Sequence, residues 1–225
     1  MDAAPAAVTV ECIGDVPAMT DLGWTDNCDG TGTVTGTDGA LAGGNCGGTI
    51  TRTWSYTDAC GNPATATQII TVDDNTLPVM DAAPAAVTVE CIGDVPAMID
   101  LGWTDNCDGA GVVTGADASD GNTCPEVITR TWTYTDACGN VSVAATQIIT
   151  VDDITPPTAT NPVTTTVPGG PAPAVNITVV IDEADNCGVP TVAFVSESTD
   201  GVACPETITR IYSVTDACGN AINVS

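Results

Sequence analysis

The sequence predicts an all-β fold, in which tandem immunoglobulin-like β-sandwich domains are arranged end to end as an elongated rod. Three observations lead to this prediction. A long segment recurs with a period of about 80 residues, close to the size of one small sandwich domain. Each copy contains alternating and β-branched runs, separated by turn residues, without helical periodicity. Cysteines recur at fixed places in the copies, as in small domains whose cores need covalent support.

The internal repeats define the predicted domains. "MDAAPAAVTVECIGDVPAM" opens the chain and returns at Met80, and "TRTWSYTDACGN" from Thr51 returns with few changes from Thr129 and from Thr209. The predicted domains are repeat 1 (1–79), repeat 2 (80–158) and repeat 3 (159–225). We expect repeat 3 to be incomplete at its C-terminus, because it stops short of a counterpart to "TQIITVDD" from Thr67.

A β-hairpin is the clearest local prediction within a repeat. "TITRTWSYTD" alternates strictly and places Ile50, Arg52, Trp54 and Tyr56 on one face, which predicts a half-buried strand. "ATATQIITV" from Ala64 is a second β-branched run, and "DACGNP" between the two supplies turn residues. The two runs therefore form a predicted antiparallel pair, and the repeat as a whole is predicted to be a compact antiparallel sandwich.

The charge of the chain limits its partners. With 29 acidic and 3 basic residues, the net charge is -26, so no basic patch can bind nucleic acid or anionic lipid. No apolar run is long enough for direct membrane insertion. The basic residues Arg52, Arg130 and Arg210 fall at one repeat position, where each head is expected to pair with a local carboxylate.

The 11 cysteines predict disulfides. With no histidine and no C-x-x-C pair, a zinc site is disfavoured, and disulfides imply an oxidising compartment, hence a secreted or surface location. If the strand "AVTV" runs down the sandwich and the strand "DLGW" runs up it, the first and third cysteines of a repeat lie at one end of the sandwich. The second and fourth cysteines then lie at the other end. The predicted pairs are Cys12–Cys46, Cys28–Cys60, Cys91–Cys124, Cys107–Cys138 and Cys187–Cys218. Pro168 replaces the first cysteine of repeat 3, so Cys204 is expected to be free or paired outside its domain.

Acidic and amide side chains gather around these cysteines and predict calcium sites. Such a cluster of oxygens suits a hard cation, and calcium is the common extracellular choice. The candidate ligands are Asp26, Asp58 and Asn62 in repeat 1, Asp73, Asp74, Asp105, Asp136 and Asn140 at the first junction, and Asp152, Asp153, Asp185, Asp216 and Asn220 at the second. The alternative is that these residues are solvated turn residues, since Asp and Asn favour turns.

The same motifs resemble a known family. "ECIGDVP", "TDNC", "TDACGN" and "TVDD" followed by "TPP" are similar to HYR-like (hyalin-repeat-like) domains with four cysteines, which occur in tandem arrays in very large bacterial surface and adhesion proteins. The resemblance covers essentially the whole chain. It implies an immunoglobulin-like sandwich, a bacterial cell-surface address and an adhesive or stalk role, and it supplies no catalytic site.

Two classes of function remain open. The first is a structural or adhesive segment of a fibre-forming surface protein, whose partners are further copies of the repeat in cis and other chains in a fibre. The second is a module in which each repeat binds a glycan or another surface ligand. Trp24 and Trp103 distinguish the two, because exposed tryptophans favour sugar binding and buried ones are core residues. An enzyme is not expected, since the chain has neither His nor Lys to activate a nucleophile.

Overall fold

The computed structural model describes residues 1–165, 172–202 and 206–225, and these residues form an all-β structure, as predicted. Helix in this part of the chain is limited to short 3-10 turns at Ile13–Asp15, Ile92–Asp94 and Ile177–Val179. None of the helices that the structure describes is long and apolar enough to cross a membrane. The end-to-end rod stays a prediction.

The strands are numbered in chain order. In the described ranges they are β1 (Val8–Val10), β2 (Leu22–Asp26), β3 (Gly30–Val34), β4 (Thr37–Asp38), β5 (Cys46–Thr57), β6 (Pro63–Asp73), β7 (Val79–Met80), β8 (Val87–Val89), β9 (Asp100–Asp105), β10 (Gly109–Thr114), β11 (Ala116–Ser119), β12 (Glu126–Trp132), β13 (Ala145–Val151), β14 (Thr191–Thr199), β15 (Ile208–Thr215) and β16 (Ala221–Val224).

The chain divides into two compact units that do not coincide with the repeats. The first unit comprises Met1–Ala82, Asp100–Gly115 and Trp132–Ala145, and the second comprises Ala83–Ile99, Ala116–Thr131 and Thr146–Ser225. The first unit therefore holds repeat 1 together with parts of repeat 2, and the second holds the rest of repeat 2 together with repeat 3. Each unit contains one junction between successive repeats.

The first unit contains three sheets, with strand orders β1-β6-β5-β4, β2-β3 and β10-β9-β7. The predicted hairpin is confirmed, because β5 and β6 pair antiparallel with Ile50 opposite Ile70. The pairing of β1 with β6 is parallel, whereas an antiparallel sandwich was predicted. The reason is that the alternation of apolar residues fixes the buried face of a strand but not the direction of its neighbour.

A buried aliphatic cluster and a buried tryptophan hold repeat 1 together. Ile50, Ile70 and Val72 form a cluster against which the valines of β1 pack. Trp54 is completely buried, and its Nε1 donates to the backbone carbonyl of Thr20 at 2.8 Å, so the polar atom of this large core residue is satisfied. The inward face predicted for β5 is thus confirmed.

The second unit contains two sheets, with strand orders β11-β12-β13-β8 and β14-β15-β16. The first repeats the pattern of repeat 1, with Ile128, Ile149 and Val151 in its core and β8 parallel to β13. The second has a small core of its own. That core consists of Val180, Tyr212, Val214 and Val224.

Each arginine forms an ion pair within its own repeat, as predicted. Arg52 Nε lies 2.6 Å from Asp38 Oδ1, and Arg130 Nε lies 2.7 Å from Asp117 Oδ1. Arg210 pairs in the same way with Glu197 at 2.7 Å. The guanidinium of Arg52 also donates to two backbone carbonyls of the loop before β2, so it ties that loop to β5. These arginines are structural and are already fully paired.

The ion pair of Arg52 predicts a pH-dependent stability. Its hydrogen bond, opposed by burial, holds the pKa of Asp38 below the ordinary value, so the pair stabilises the fold above about pH 4 and loses its effect as the pH falls through the folded-state pKa. We expect Asp38→Asn to lower the free energy of unfolding at pH 7 by about 1 kcal/mol, a small value because Asp38 is partly exposed. Urea unfolding should show this difference shrinking towards pH 3, and a difference independent of pH would contradict the assignment.

Candidate functional sites at the repeat junctions

Two turns, each opened by an aspartate, bring the functional residues of a junction to one end of repeat 2. Asp105 Oδ1 accepts from the backbone N–H groups of Cys107 at 2.9 Å and Asp108 at 2.8 Å. Asp136 Oδ1 accepts in the same way from Cys138 at 2.8 Å. Aspartate favours such turns because its carboxylate bonds the backbone two residues on. In "TDNC" and "TDAC" alike, the aspartate therefore fixes the position of the following cysteine.

In the part of the chain that the structure describes, four disulfides each join one repeat to the next. In the first unit they are Cys12–Cys107 and Cys46–Cys138, and in the second they are Cys91–Cys187 and Cys124–Cys218. The Cα atoms of each pair lie 5.0 to 5.3 Å apart, within the usual range for a bridge. Both junctions are therefore closed by two bridges, built from the first and third cysteines of one repeat and the second and fourth of the next.

The predicted pairing within a repeat is wrong. The predicted pairs were Cys12–Cys46, Cys28–Cys60, Cys91–Cys124, Cys107–Cys138 and Cys187–Cys218, and none of the five forms. The prediction treated each repeat as closed, whereas the end that carries the first and third cysteines meets the end of the next repeat that carries the second and fourth. Of the described cysteines, Cys28 and Cys60 are free and exposed. Pro168 and Cys204 lie outside the described residues.

Three carboxylates meet at the first junction. Asp74 follows β6 of repeat 1, whereas Asp105 and Asp136 open the two turns of repeat 2, and ligand atoms of all three lie within 4.8 Å of one another. Asn140 Nδ2 donates to the backbone carbonyl of Asp74 at 2.9 Å and to Asp136 Oδ2 at 2.8 Å. Asp74 and Asp136 are buried, and the buried Asp105 Oδ2 has no hydrogen-bond partner. The cluster thus gathers negative charge away from water.

The pKa shifts reflect this crowding. Burial raises the pKa of Asp74, and the charges of Asp105, Asp136 and Glu11 raise it further, against the opposing hydrogen bond from the Thr76 backbone. Burial alone would also raise the pKa of Asp136. However, its hydrogen bonds from Asn140 and from the following turn hold that pKa below the ordinary value. Asp74 is therefore the carboxylate whose ionisation costs most in the absence of a cation.

The second junction repeats much of this geometry. Asp153 and Asp185 lie within 4.8 Å of each other and of Cys187 Sγ, which belongs to a bridge. Asn220 Nδ2 donates to the backbone carbonyl of Asp153 at 2.7 Å, and the buried Asp185 Oδ1 has no hydrogen-bond partner. Asp216 lines the same cavity of about 330 Å³, together with both disulfides of this junction. The two junctions therefore share most of one arrangement, but among the described residues Asp216 does not join the close group as Asp136 does.

The other predicted ligands lie outside these groups. Asp73 Oδ2 accepts from Asn75 Nδ2 at 3.2 Å, and neither Asp73 nor Asp152 belongs to the carboxylate groups found among the described residues. Asp26 and Asp58 fold the same turns in repeat 1 as Asp105 and Asp136 do in repeat 2, but no such group forms around them or Asn62 in the described part of the chain.

Two glutamates belong to the junctions but were not predicted. Glu11 Oε2 accepts from the Asn75 backbone at 2.8 Å, and its charge raises the pKa of Asp74. Glu90 Oε2 accepts from Thr155 Oγ1 at 2.7 Å and from Asn186 Nδ2 at 2.8 Å. The available signal was the repeated "VTVEC", in which an acid directly precedes the first cysteine.

The tryptophans of β2 and β9 are packing residues. Trp103 is buried and stacks on Tyr134 with ring centroids 3.6 Å apart, and Trp24 stacks on Tyr56 at 3.8 Å. A Cβ added to Gly32, opposite Trp24 on β3, would come within 2.5 Å of its ring. Each tryptophan therefore packs against a tyrosine and a glycine backbone, and the interpretation as core residues is confirmed for Trp103.

Comparisons with known proteins agree with the repeat organisation. A family profile described as "HYR-like domain with 4 cysteines" matches residues 1–72 and 79–151, together more than half of the chain. The chain is also 32% identical over 133 residues to chitinase A1 of Niallia circulans, an alignment that covers 51% of this chain and 19% of that protein. The chain thus spans about a fifth of that relative's length. No solved structure matches it. The family and the four disulfides fit an extracellular repeat module.

Proposed function

This chain belongs to the family of HYR-like domains with four cysteines, and we propose that it is a structural segment of a large adhesive protein at a bacterial cell surface. The observation that carries the proposal is the double disulfide between each repeat and the next. A ligand-binding module gains little from being locked to its neighbour at two points. A spacer that must keep its domains in a fixed order benefits directly from these bridges.

The composition supports a surface role. Bridges of this kind persist in oxidising surroundings, and a net charge of -26 keeps long arrays apart and soluble. The charge also favours cations over phosphates or anionic lipids as partners. We propose a non-catalytic role, since the residues that the repeats share are cysteines, turn residues and linker acids.

Calcium at the junctions is the second part of the proposal. Asp74, Asp105 and Asp136 offer hard oxygen ligands. The buried Asp105 Oδ2 has no hydrogen-bond partner, and a bound cation would satisfy it. The ion would offset both the burial and the repulsion that raise the pKa of Asp74. It would thereby stiffen a junction that the bridges already close.

Calcium titration of the whole chain by calorimetry tests this part. We expect two sites at pH 7, one at each junction, with binding that weakens as the pH falls because protons compete for Asp74. Asp105→Asn should weaken the first site by about tenfold or more, since it removes one ligand charge. In chelator the same variant should be more stable than the wild type, because it relieves the repulsion.

Asp26→Asn is the matched control. Asp26 stands in the same heptapeptide, "WTDNCDG", and folds the same turn, but the described residues bring no carboxylate of another repeat to it. This variant should leave both sites intact. If the wild type gives no heat at millimolar calcium, or if both variants bind calcium equally well, the junction site is refuted and the aspartates are turn residues.

Glycan binding is the alternative function, in which each repeat holds a surface ligand. Its support is the similarity to a protein named chitinase A1. The packing of Trp24 and Trp103 against Tyr56 and Tyr134 weighs against it, because a sugar platform needs a free aromatic face. Chitin pull-down with the whole chain distinguishes the two, and retention that Trp24→Ala abolishes would favour the alternative.

A further inference from the structure

The end of repeat 1 that carries Cys28 and Cys60 is built like the two closed junctions but is open. In the repeat alignment, Cys28 corresponds to Cys107 and Cys60 to Cys138. The latter two are bridged to the preceding repeat, whereas Cys28 and Cys60 are exposed free thiols. We call this surface, formed by Asp26, Cys28, Asp58, Cys60 and Asn62, the acceptor end.

The turns of the acceptor end already have their junction conformation. Asp26 Oδ1 accepts from the Cys28 backbone at 2.8 Å and Asp58 Oδ1 from the Cys60 backbone at 2.9 Å, as their counterparts do in repeat 2. Asp29 Oδ2 accepts from the Ala59 backbone at 2.9 Å and thereby ties the two turns together. Asp108 makes the same contact in repeat 2, also at 2.9 Å. The thiols are therefore held in place before any bridge forms.

One hydrogen bond of the closed junctions is missing at the acceptor end. Asn140 and Asn220 each donate to a backbone carbonyl of the preceding repeat, at 2.9 and 2.7 Å. Asn62 Nδ2 donates to Asp58 Oδ2 at 2.7 Å, and no residue in the described ranges offers it an equivalent carbonyl. The missing hydrogen-bond acceptor is thus a backbone carbonyl in the segment that follows the last strand of another repeat.

We propose that the acceptor end takes the opposite end of another repeat of the same kind and is joined to it by two disulfides. Cys28 pairs with that repeat's counterpart of Cys12, and Cys60 pairs with its counterpart of Cys46. The inference rests on the repeat-array role proposed above, but not on calcium. The acceptor end is therefore a covalent attachment point that continues the pattern of both junctions.

Each bridge needs an oxidant, and a low-molecular-weight disulfide such as oxidised glutathione supplies it. One cysteine thiolate displaces a glutathione thiolate and forms a mixed disulfide, and the opposing cysteine thiolate then displaces the second. Two thiols lose their protons and two electrons, and the glutathione disulfide becomes two glutathione thiols. In this pattern Cys28 and Cys60 have different partners, because their counterparts Cys107 and Cys138 bond two different cysteines of the preceding repeat.

The test is a chain extended at its N-terminus by a further copy of residues 1–79. It is refolded in a glutathione redox buffer with chelator, alkylated and mapped by peptide mass spectrometry without reduction. We expect Cys28 to be bridged to the added copy's Cys12 and Cys60 to its Cys46, so that both resist alkylation. In the unextended chain the two thiols should be alkylated, and the four existing bridges report correct folding in either protein.

Matched variants of the added copy make the result specific. Replacing its Cys46 by Ser should expose Cys60 alone, and replacing its Cys12 should expose Cys28 alone. The proposal is overturned if Cys28 and Cys60 stay reactive while the other four bridges form, or if the added copy joins its own Cys12 to its Cys46. It is also overturned if oxidised glutathione joins Cys28 to Cys60 in the unextended chain. A failed calcium titration would leave this result untouched.

Discussion

Cyanogen bromide should leave the fragments of the oxidised chain in one disulfide-linked species. It cleaves after methionine, and Met19, Met80 and Met98 divide the chain into residues 2–19, 20–80, 81–98 and 99–225. Cys12–Cys107 and Cys46–Cys138 join the first and second fragments to the last, and Cys91–Cys187 joins the third fragment to it. Mass spectrometry without reduction should therefore find a single covalent assembly, after free thiols have been blocked.

Pairing within each repeat gives the opposite result. No bridge would then cross Met80, and residues 2–19 and 20–80, joined to each other by Cys12–Cys46, would separate from the rest without any reductant. A variant that carries both Cys107→Ser and Cys138→Ser is the control, since it should release residues 2–19 and 20–80 from the otherwise unchanged chain. Release of either fragment from the wild type would contradict the observed bridges.

Loss of both bridges at the first junction should be the most destabilising change tested. Cys12 and Cys107 are 95 residues apart, so their bridge closes a long loop of the unfolded chain. We expect Cys12→Ser with Cys46→Ser to lower the free energy of unfolding by at least about 3 kcal/mol, in line with native disulfides elsewhere. Urea unfolding followed by circular dichroism, without reductant, measures the change.

The matched control is Cys28→Ser with Cys60→Ser. It makes the same chemical change in the same repeat, but both cysteines are exposed and free, so the effect should stay within about 0.5 kcal/mol. Equal losses in the two double variants would mean that the bridges between repeats do not stabilise the chain.

The fold was largely predictable because each strand carries its own signal. The alternation from Ile50 to Tyr56 and the turn "DACGNP" are local patterns, and they specify the β5–β6 hairpin without knowledge of the rest of the chain. The parallel neighbour of β6 was not predicted, because a three-residue strand such as β1 presents the same alternation whichever way it runs.

The site was predictable only in its composition. Asp73, Asp74, Asp105, Asp136 and Asn140 were predicted to meet, and all except Asp73 do so, since the end of one repeat leads directly into the next. The disulfide partners were not predictable, because identical cysteines recur in every repeat. The spacing within one copy fits a bridge inside the repeat as well as a bridge to its neighbour. Sequence spacing cannot separate the two when both place the Cα atoms within reach.

The overlap of the four bridges has a mechanical consequence. Under tension, force follows the shortest covalent route through a protein. Here that route passes along residues 1–12, crosses to Cys107, continues to Cys124, crosses to Cys218 and leaves through residues 218–225. Most of the polypeptide lies in loops that carry no load. Pulling on the ends can therefore extend the chain by only a small part of its contour length, and a fibre of such repeats would resist unravelling under shear.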